Sequence, residues 1–283
     1  MRTSLFSLRI LWIGRVRTSG AAMSVPDTWR RWREGREREL RGPESWFGVV
    51  GLFWLEPGRN TVGSDPAATV VLPAGSARLG ELEWADGTVT WHPAGGEPQV
   101  LDTDIAGRPT AVDHENLSFF IVDRDGRLAA RVRDRDWAAK RPFAGIACYD
   151  YDPAWRFEAA WEPLDPPLSL EVPNVSGELK QVAVTHRAVF TVAGTEVTLV
   201  PTIVGDGQVF FPFRDRTSGR ATYGAGRFLY ASVPVDGRIL LDFKFAFTPP
   251  CAFTPFATCP LPPPENWLPF ELPAGEKYGG KTG

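Results

Sequence analysis

The sequence predicts an all-β protein: a two-lobed, sandwich- or barrel-like architecture with an N-terminal α-helix and a Pro-rich C-terminal wrap. Three observations predict it. Glycine (28) and proline (26) are frequent enough to break 283 residues into many short elements. Short runs of β-branched and aromatic residues recur between turn dipeptides such as Asp86-Gly87, Asp125-Gly126 and Asp236-Gly237. One convincing helical pattern, TWRRWREGREREL, follows Pro26-Asp27, which supplies an entry and a cap.

The elements follow in order. Residues 1–22 hold an apolar stretch split by Arg9 and followed by Arg15 and Arg17, a poor secretory signal and too short to span a bilayer. They are read as a non-native or disordered extension, with Met23 as the natural start. In the helix, Trp29 and Trp32 lie one turn apart and face the core together, and the arginines form a solvated face. Strands are expected at residues 47–55, 69–72, 82–84, 88–92, 117–122 and 128–132, with hairpin turns at Asp86-Gly87 and Asp125-Gly126. The stretch GRNTVGSDPAATVVLP is similar to the opening of forkhead-associated domains. The following loop, AGSARLGELEW, lacks the histidine of those modules, so the likeness is read as a shared turn.

The charged run RDRDWAAKRP marks a lobe junction. Residues 23–135 are expected to form the helix and first β lobe, and residues 136–283 the second lobe. Further strands are expected at 156–161, 180–192, 195–200, 208–213, 227–233 and 238–245, with Asp236-Gly237 joining the last two.

Hydrophobic residues at 43% and charged residues at 23% allow an ordinary core. A net charge of −3 offers no basic excess for a phosphate backbone, which argues against nucleic acid as a partner. Three cysteines, Cys148, Cys251 and Cys259, are too few for a disulfide framework and are read as buried thiols of a cytoplasmic chain, although Cys251 and Cys259 are placed to pair. No HExxH, paired CxxC, GxSxG elbow or GxGxxG turn in a strand–helix context occurs, so neither a metal nor a cofactor is expected.

Polar residues, glycines and prolines crowd residues 211–278, where irregular backbone exceeds what strand-building requires. Ser218 and Tyr223 are placed to donate a proton or steady an oxyanion, and Arg227 to hold a carboxylate. Asp242 and Lys244 share one face of the expected strand 239–245 and form an acid/base pair there. The stiff prolines at 260–264 deliver Glu265 and Asn266 toward the same place. His186 shares a face with Val182 and Val184, and Trp161 supplies an aromatic wall. The candidate catalytic set is therefore Tyr223, Arg227, Asp242, Lys244 and Glu265, and the candidate binding set is Ser218, Asn266, His186 and Trp161.

The segments PFAGIACYDYDPAWRFEAAWEP, FRDRTSGRATYGAGRFL and CAFTPFATCPLPPPENWLPFELPAGEK together resemble a bacterial family known as domain of unknown function number 1684, from about Trp29 to Tyr278. The resemblance implies kinship and no particular activity. It also shows two departures: Lys244 and Thr248 stand where the family usually carries asparagine.

The expected function is a cofactor-free enzyme acting on a small organic substrate by hydrolysis, elimination or isomerisation. Two alternatives are a shape-templating cyclase or isomerase with an aromatic pocket, and a small-molecule-binding protein without catalysis. The expected partner is a small molecule, with no nucleic acid and no membrane; a homodimer is left open.

Overall fold

The computed structural model describes residues 25–205 and 207–278. The reading of residues 1–22 falls outside them. The architecture is mostly β with an N-terminal helix, α1 (Val25–Arg41). No helix among the described residues is long and apolar enough to cross a membrane.

Two compact units are formed. The first is Glu39–Arg141, and the second runs from Pro142 onward together with the helix residues up to Arg38. The helix thus groups mostly with the C-terminal unit, whereas the sequence reading joined it to the first lobe. Its side chains give the reason. Trp29 meets Tyr151 edge-on at 6.0 Å, Trp32 meets Phe245 at 5.5 Å, and Arg36 Nε donates to Glu276 Oε1 at 2.9 Å. Positions 29, 32 and 36 lie on one helical stripe.

The first unit stacks two sheets. One orders β1 (Val49–Trp54), β9 (Arg127–Asp134), β8 (Leu117–Arg124) and β7 (Val112–His114). The other orders β3 (Val70–Val71), β2 (Gly58–Gly63), β4 (Gly80–Ala85), β5 (Thr88–Pro93) and β6 (Gln99–Leu101). Val62, Leu82 and Val89 of the second sheet share a core with Leu117, Ile121 and Val132 of the first, and Trp91 meets Phe119 edge-on across it at 5.2 Å. The hairpin turns fall where expected: Asp86-Gly87 and Asp125-Gly126 both have positive φ at both positions, as a tight two-residue turn requires. The forkhead-like stretch folds as β2, a turn and the short parallel strand β3. Arg59 is held by Glu81 at 2.8 Å and Ser64 Oγ donates to Gly75 O at 2.8 Å, so both groups are engaged within the unit. The charged junction contains a short helix, α2 (Arg135–Lys140), capped by Asp134, whose carboxylate accepts from Trp137 N at 3.0 Å.

The second unit also has two sheets. One orders β12 (Thr195–Leu199), β11 (Leu179–Val192), β10 (Arg156–Pro173) and β16 (Arg238–Asp242). The other orders β13 (Ile203–Gly205), β14 (Gln208–Phe213) and β15 (Arg227–Ser232). Asp236-Gly237 is the expected tight turn, with positive φ at both positions and Val235 and Arg238 bonded to each other across it, and there the chain passes from one sheet to the other, where β16 pairs with β10. β10 runs on to Pro173, well past the expected residue 161, through a register shift between Pro163 and Leu168. Phe190, Leu199, Phe211, Phe213, Leu229 and Leu241 fill the core. Residues 243–278 wrap this core without forming a strand, and Leu268, Leu272 and Ala274 are buried in it.

Candidate functional site

The loop joining β14 to β15 carries the most polar motif of the sequence. Its centre is a buried ion pair. Arg227 and Asp215 have side chains 0% exposed and meet at 3.3 Å. The Asp215 carboxylate also accepts from Thr217 Oγ1 at 2.9 Å and from Leu272 N at 2.6 Å. Arg227 donates to Leu272 O at 2.9 Å and to Ala274 O, and its guanidinium lies 5.2 Å from the centre of the Phe213 ring. Burial pushes the Arg227 guanidinium below its ordinary value and Asp215 opposes that. Arg227 was expected to hold a substrate carboxylate. It holds Asp215 and the carbonyls of the wrap instead, because a guanidinium withdrawn from water needs an internal counter-charge and acceptors. Ser218 is drawn into the same network: its Oγ accepts from Asp215 N at 3.2 Å and donates to Asp215 Oδ1 at 3.4 Å.

Asn266 and Glu265 separate. Asn266 is fully buried; its Oδ1 accepts from Val200 N at 2.8 Å, and its Nδ2 donates to Val200 O at 2.8 Å and Pro212 O at 2.9 Å. It stitches the wrap to the end of β12 and to β14. Glu265, its neighbour in the turn Pro264–Asn266, is exposed. Opposite directions are forced on adjacent residues here, so the prolines deliver one side chain inward and not both. Tyr223 is half-buried and donates to Cys251 O at 3.1 Å; burial, with Cys251 second, pushes its hydroxyl pKa up.

Asp242 and Lys244 do come together, but not on a strand. β16 ends at Asp242, and Phe243–Phe245 form a 3-10 turn whose first free N–H, that of Lys244, is accepted by Asp242 Oδ1 at 3.3 Å. This turn folds the Lys244 ammonium back to 3.3 Å from Asp242 Oδ2. The approach is not aligned as a hydrogen bond, and Lys244 Nζ has no hydrogen-bond partner among the described residues. Lys244 is 1% exposed, and its Nζ lies 4.1 Å from the centre of the Tyr151 ring. Arg156, 45% exposed, reaches Asp242 Oδ2 at 3.7 Å. Burial raises the Asp242 carboxyl above its ordinary value, and Lys244 opposes that. Tyr151, Arg156, Asp242 and Lys244 thus make one charged corner, and α1 closes against it through Trp29.

His186 and Trp161 stack at 5.3 Å with their planes 4° apart, on neighbouring strands β11 and β10. His186 Nδ1 bonds Thr185 Oγ1 at 3.0 Å. Among the described residues, no group of three or more His, Cys, Asp or Glu side chains is placed to hold a metal ion.

Residues 141–277 match the model of a family described as "Protein of unknown function (DUF1684)". The chain belongs to this family. The match begins at Arg141, so it takes in the second unit from Pro142 onward, without the helix or the first sandwich, a shorter span than the resemblance suggested. A solution NMR structure of an uncharacterized protein from Haloarcula marismortui is 30% identical, over 48% of this chain and 77% of that one, with a TM-score of 0.40. No curated protein matches the chain.

Within the DUF1684 portion, the sequence reading left three partners out of its candidate sets. Asp215 is in neither candidate set, yet it anchors the whole motif. Tyr151 was unassigned, because its contact with Lys244 joins residues far apart in the chain. Glu276 accepts from Arg36 Nε and, at 2.7 Å, from Thr248 N. The acidic and basic residue types were the available signal; their pairing was not.

Proposed function

We propose that the DUF1684 unit acts on a small organic substrate by acid/base chemistry at the Asp242–Lys244 pair. One observation carries this reading: a lysine ammonium 1% exposed, with no hydrogen-bond partner among the described residues, 3.3 Å from a carboxylate. Burying an ammonium with unused donors is costly, and a pair that served stability alone would be replaced by apolar packing at little loss. Asp242, with its carboxyl raised chiefly by burial, is the better proton acceptor for it. Lys244 supplies the compensating positive charge, and Arg156 at the open side favours an anionic or carbonyl-bearing substrate. Lys244 stands where the resemblance expects asparagine, so the reading concerns a position at which this chain departs from that expectation.

Binding without turnover is the second reading. The engagement of Asp215, Asn266 and the two terminal nitrogens of Arg227 within the protein supports it, since those groups are already spent on internal partners.

The test is a mass-spectrometric turnover screen of esters, lactones, hydroxy acids and oxo acids, followed by Asp242→Asn and Lys244→Met. The expected result is turnover that falls by about 100-fold in each variant, the usual contribution of a proton-transfer group. Turnover unchanged in both variants overturns the acid/base reading. A ligand retained without chemical change favours the binding reading.

A further inference from the structure

The C-terminal wrap brings two thiols together. Cys251 lies in the 3-10 turn Pro250–Ala252, and Cys259 follows after the irregular segment 253–258. Both are thiols, as is Cys148. The Cys251 and Cys259 side chains stand within hydrogen-bonding reach of each other, and the Tyr223 hydroxyl reaches the Cys251 side chain as well. Their backbones are fixed from outside the segment. Cys251 O accepts from Tyr223 Oη at 3.1 Å, and Ala252 O accepts from Tyr278 Oη at 3.2 Å. Cys259 O accepts from Val175 N at 3.0 Å. Two thiols within hydrogen-bonding reach, on backbone tied down beside each of them, are placed to join. The sequence reading placed all three cysteines in the core. The structure buries only Cys259 and leaves Cys251 and Cys148 half-buried.

We propose that Cys251 and Cys259 form a reversible dithiol–disulfide couple that reacts with peroxides, with Cys251 as the attacking and Cys259 as the resolving thiol. Exposure assigns the roles, since an oxidant reaches the half-buried sulfur first. In the first step the Cys251 thiolate attacks one peroxide oxygen. A sulfur–oxygen bond forms, the oxygen–oxygen bond breaks, and the leaving alkoxide or hydroxide takes up the proton that Cys251 released. In the second step the Cys259 sulfur attacks the Cys251 sulfenic acid. The disulfide forms and water leaves. The two thiols lose two electrons, and the peroxide is reduced to an alcohol, or to water, by gaining them.

The electrostatics agree with this division. The neighbouring Cys259 thiol holds the Cys251 thiol below its ordinary value against the opposing effect of burial, and Tyr223 adds to it. Cys148 is pushed up to about 12, first by burial and then by Glu276. It serves as an internal reference within the same chain.

The experiment treats the reduced full-length protein with equimolar hydrogen peroxide and alkylates the remaining thiols. The expected product has lost two hydrogens by intact mass, retains one alkylatable thiol of the three, and yields a Cys251–Cys259 linked peptide. A dithiol reductant restores all three. Cys259→Ser stops at a sulfenic acid on Cys251 that a 1,3-dione traps, and Cys251→Ser leaves Cys259 unmodified. Cys251 should react faster than Cys148, whose thiol burial keeps protonated. Three alkylatable thiols after peroxide, linkage between chains, or oxidation of Cys148 at the same rate would each overturn the proposal.

Discussion

Asp215 and Arg227 meet at 3.3 Å with neither side chain reaching solvent. Around this pair, the loop between β14 and β15 is bonded to Leu272 and Ala274 of the wrap. The most conspicuous polar motif in the sequence is thus the bolt that fastens the C-terminal segment, and the candidate chemistry lies elsewhere, at Asp242 and Lys244.

Removing one member of the bolt strands the other. Arg227→Met leaves Asp215 charged in a dry environment and should cost about 3–5 kcal/mol of unfolding free energy. The double variant Asp215→Leu/Arg227→Met should recover part of that loss, because no uncompensated charge remains. Urea unfolding of the three proteins reads this directly. A single variant within about 1 kcal/mol of wild type would show that the pair does not hold the wrap.

Adjacent residues should behave in opposite ways. Asn266→Ala removes three buried hydrogen bonds and leaves Val200 and Pro212 backbone groups unpaired, an expected loss of roughly 3–5 kcal/mol at 1–3 kcal/mol per orphaned group with partial relaxation. Glu265→Ala touches an exposed side chain and should stay within about 0.5 kcal/mol. Equal losses in the two variants would contradict the described turn.

The Asp242–Lys244 pair sets a pH dependence. The folded Asp242 carboxyl binds its proton more tightly than the unfolded one, whose ordinary value is 3.8. Its stabilising contribution is therefore full below that value and is lost as pH rises through the raised folded value. Lys244→Met removes the strongest opposing charge, so the loss should extend to higher pH than in wild type. Chemical denaturation from about pH 3 to pH 8 separates the two profiles. Superimposable profiles would mean that Lys244 does not govern the Asp242 proton.

Gly275 should tolerate no side chain. Its φ is +78°, and a Cβ there would stand 2.4 Å from Ala246 O and 2.9 Å from Phe243 O. Gly275→Ala is expected to cost about 1–3 kcal/mol from the backbone conformation alone, and more from the collision. Gly237→Ala, at φ +71° with nothing within 4 Å, isolates the conformational part and should cost less. Matching denaturation midpoints for the two would rule out the collision.

The sequence by itself determined the fold class, the helix, the hairpins at Asp86-Gly87 and Asp125-Gly126, and the family. Each rests on local chemistry: period-two alternation, an amphipathic run with Asp27 inside its first turn rather than at a cap before it, dipeptides that accept positive φ, and a long motif. It also named the polar residues worth examining. Only the tertiary structure decided what those residues do. Arg227 and Asn266 proved to be internal fasteners, Glu265 faces solvent, Asp242 and Lys244 meet through a 3-10 turn, and Cys251 meets Cys259. Side-chain type fixes what a group can bond. Whether that capacity is spent on the protein or kept for a ligand depends on contacts between residues distant in the chain, and a local pattern carries no record of those.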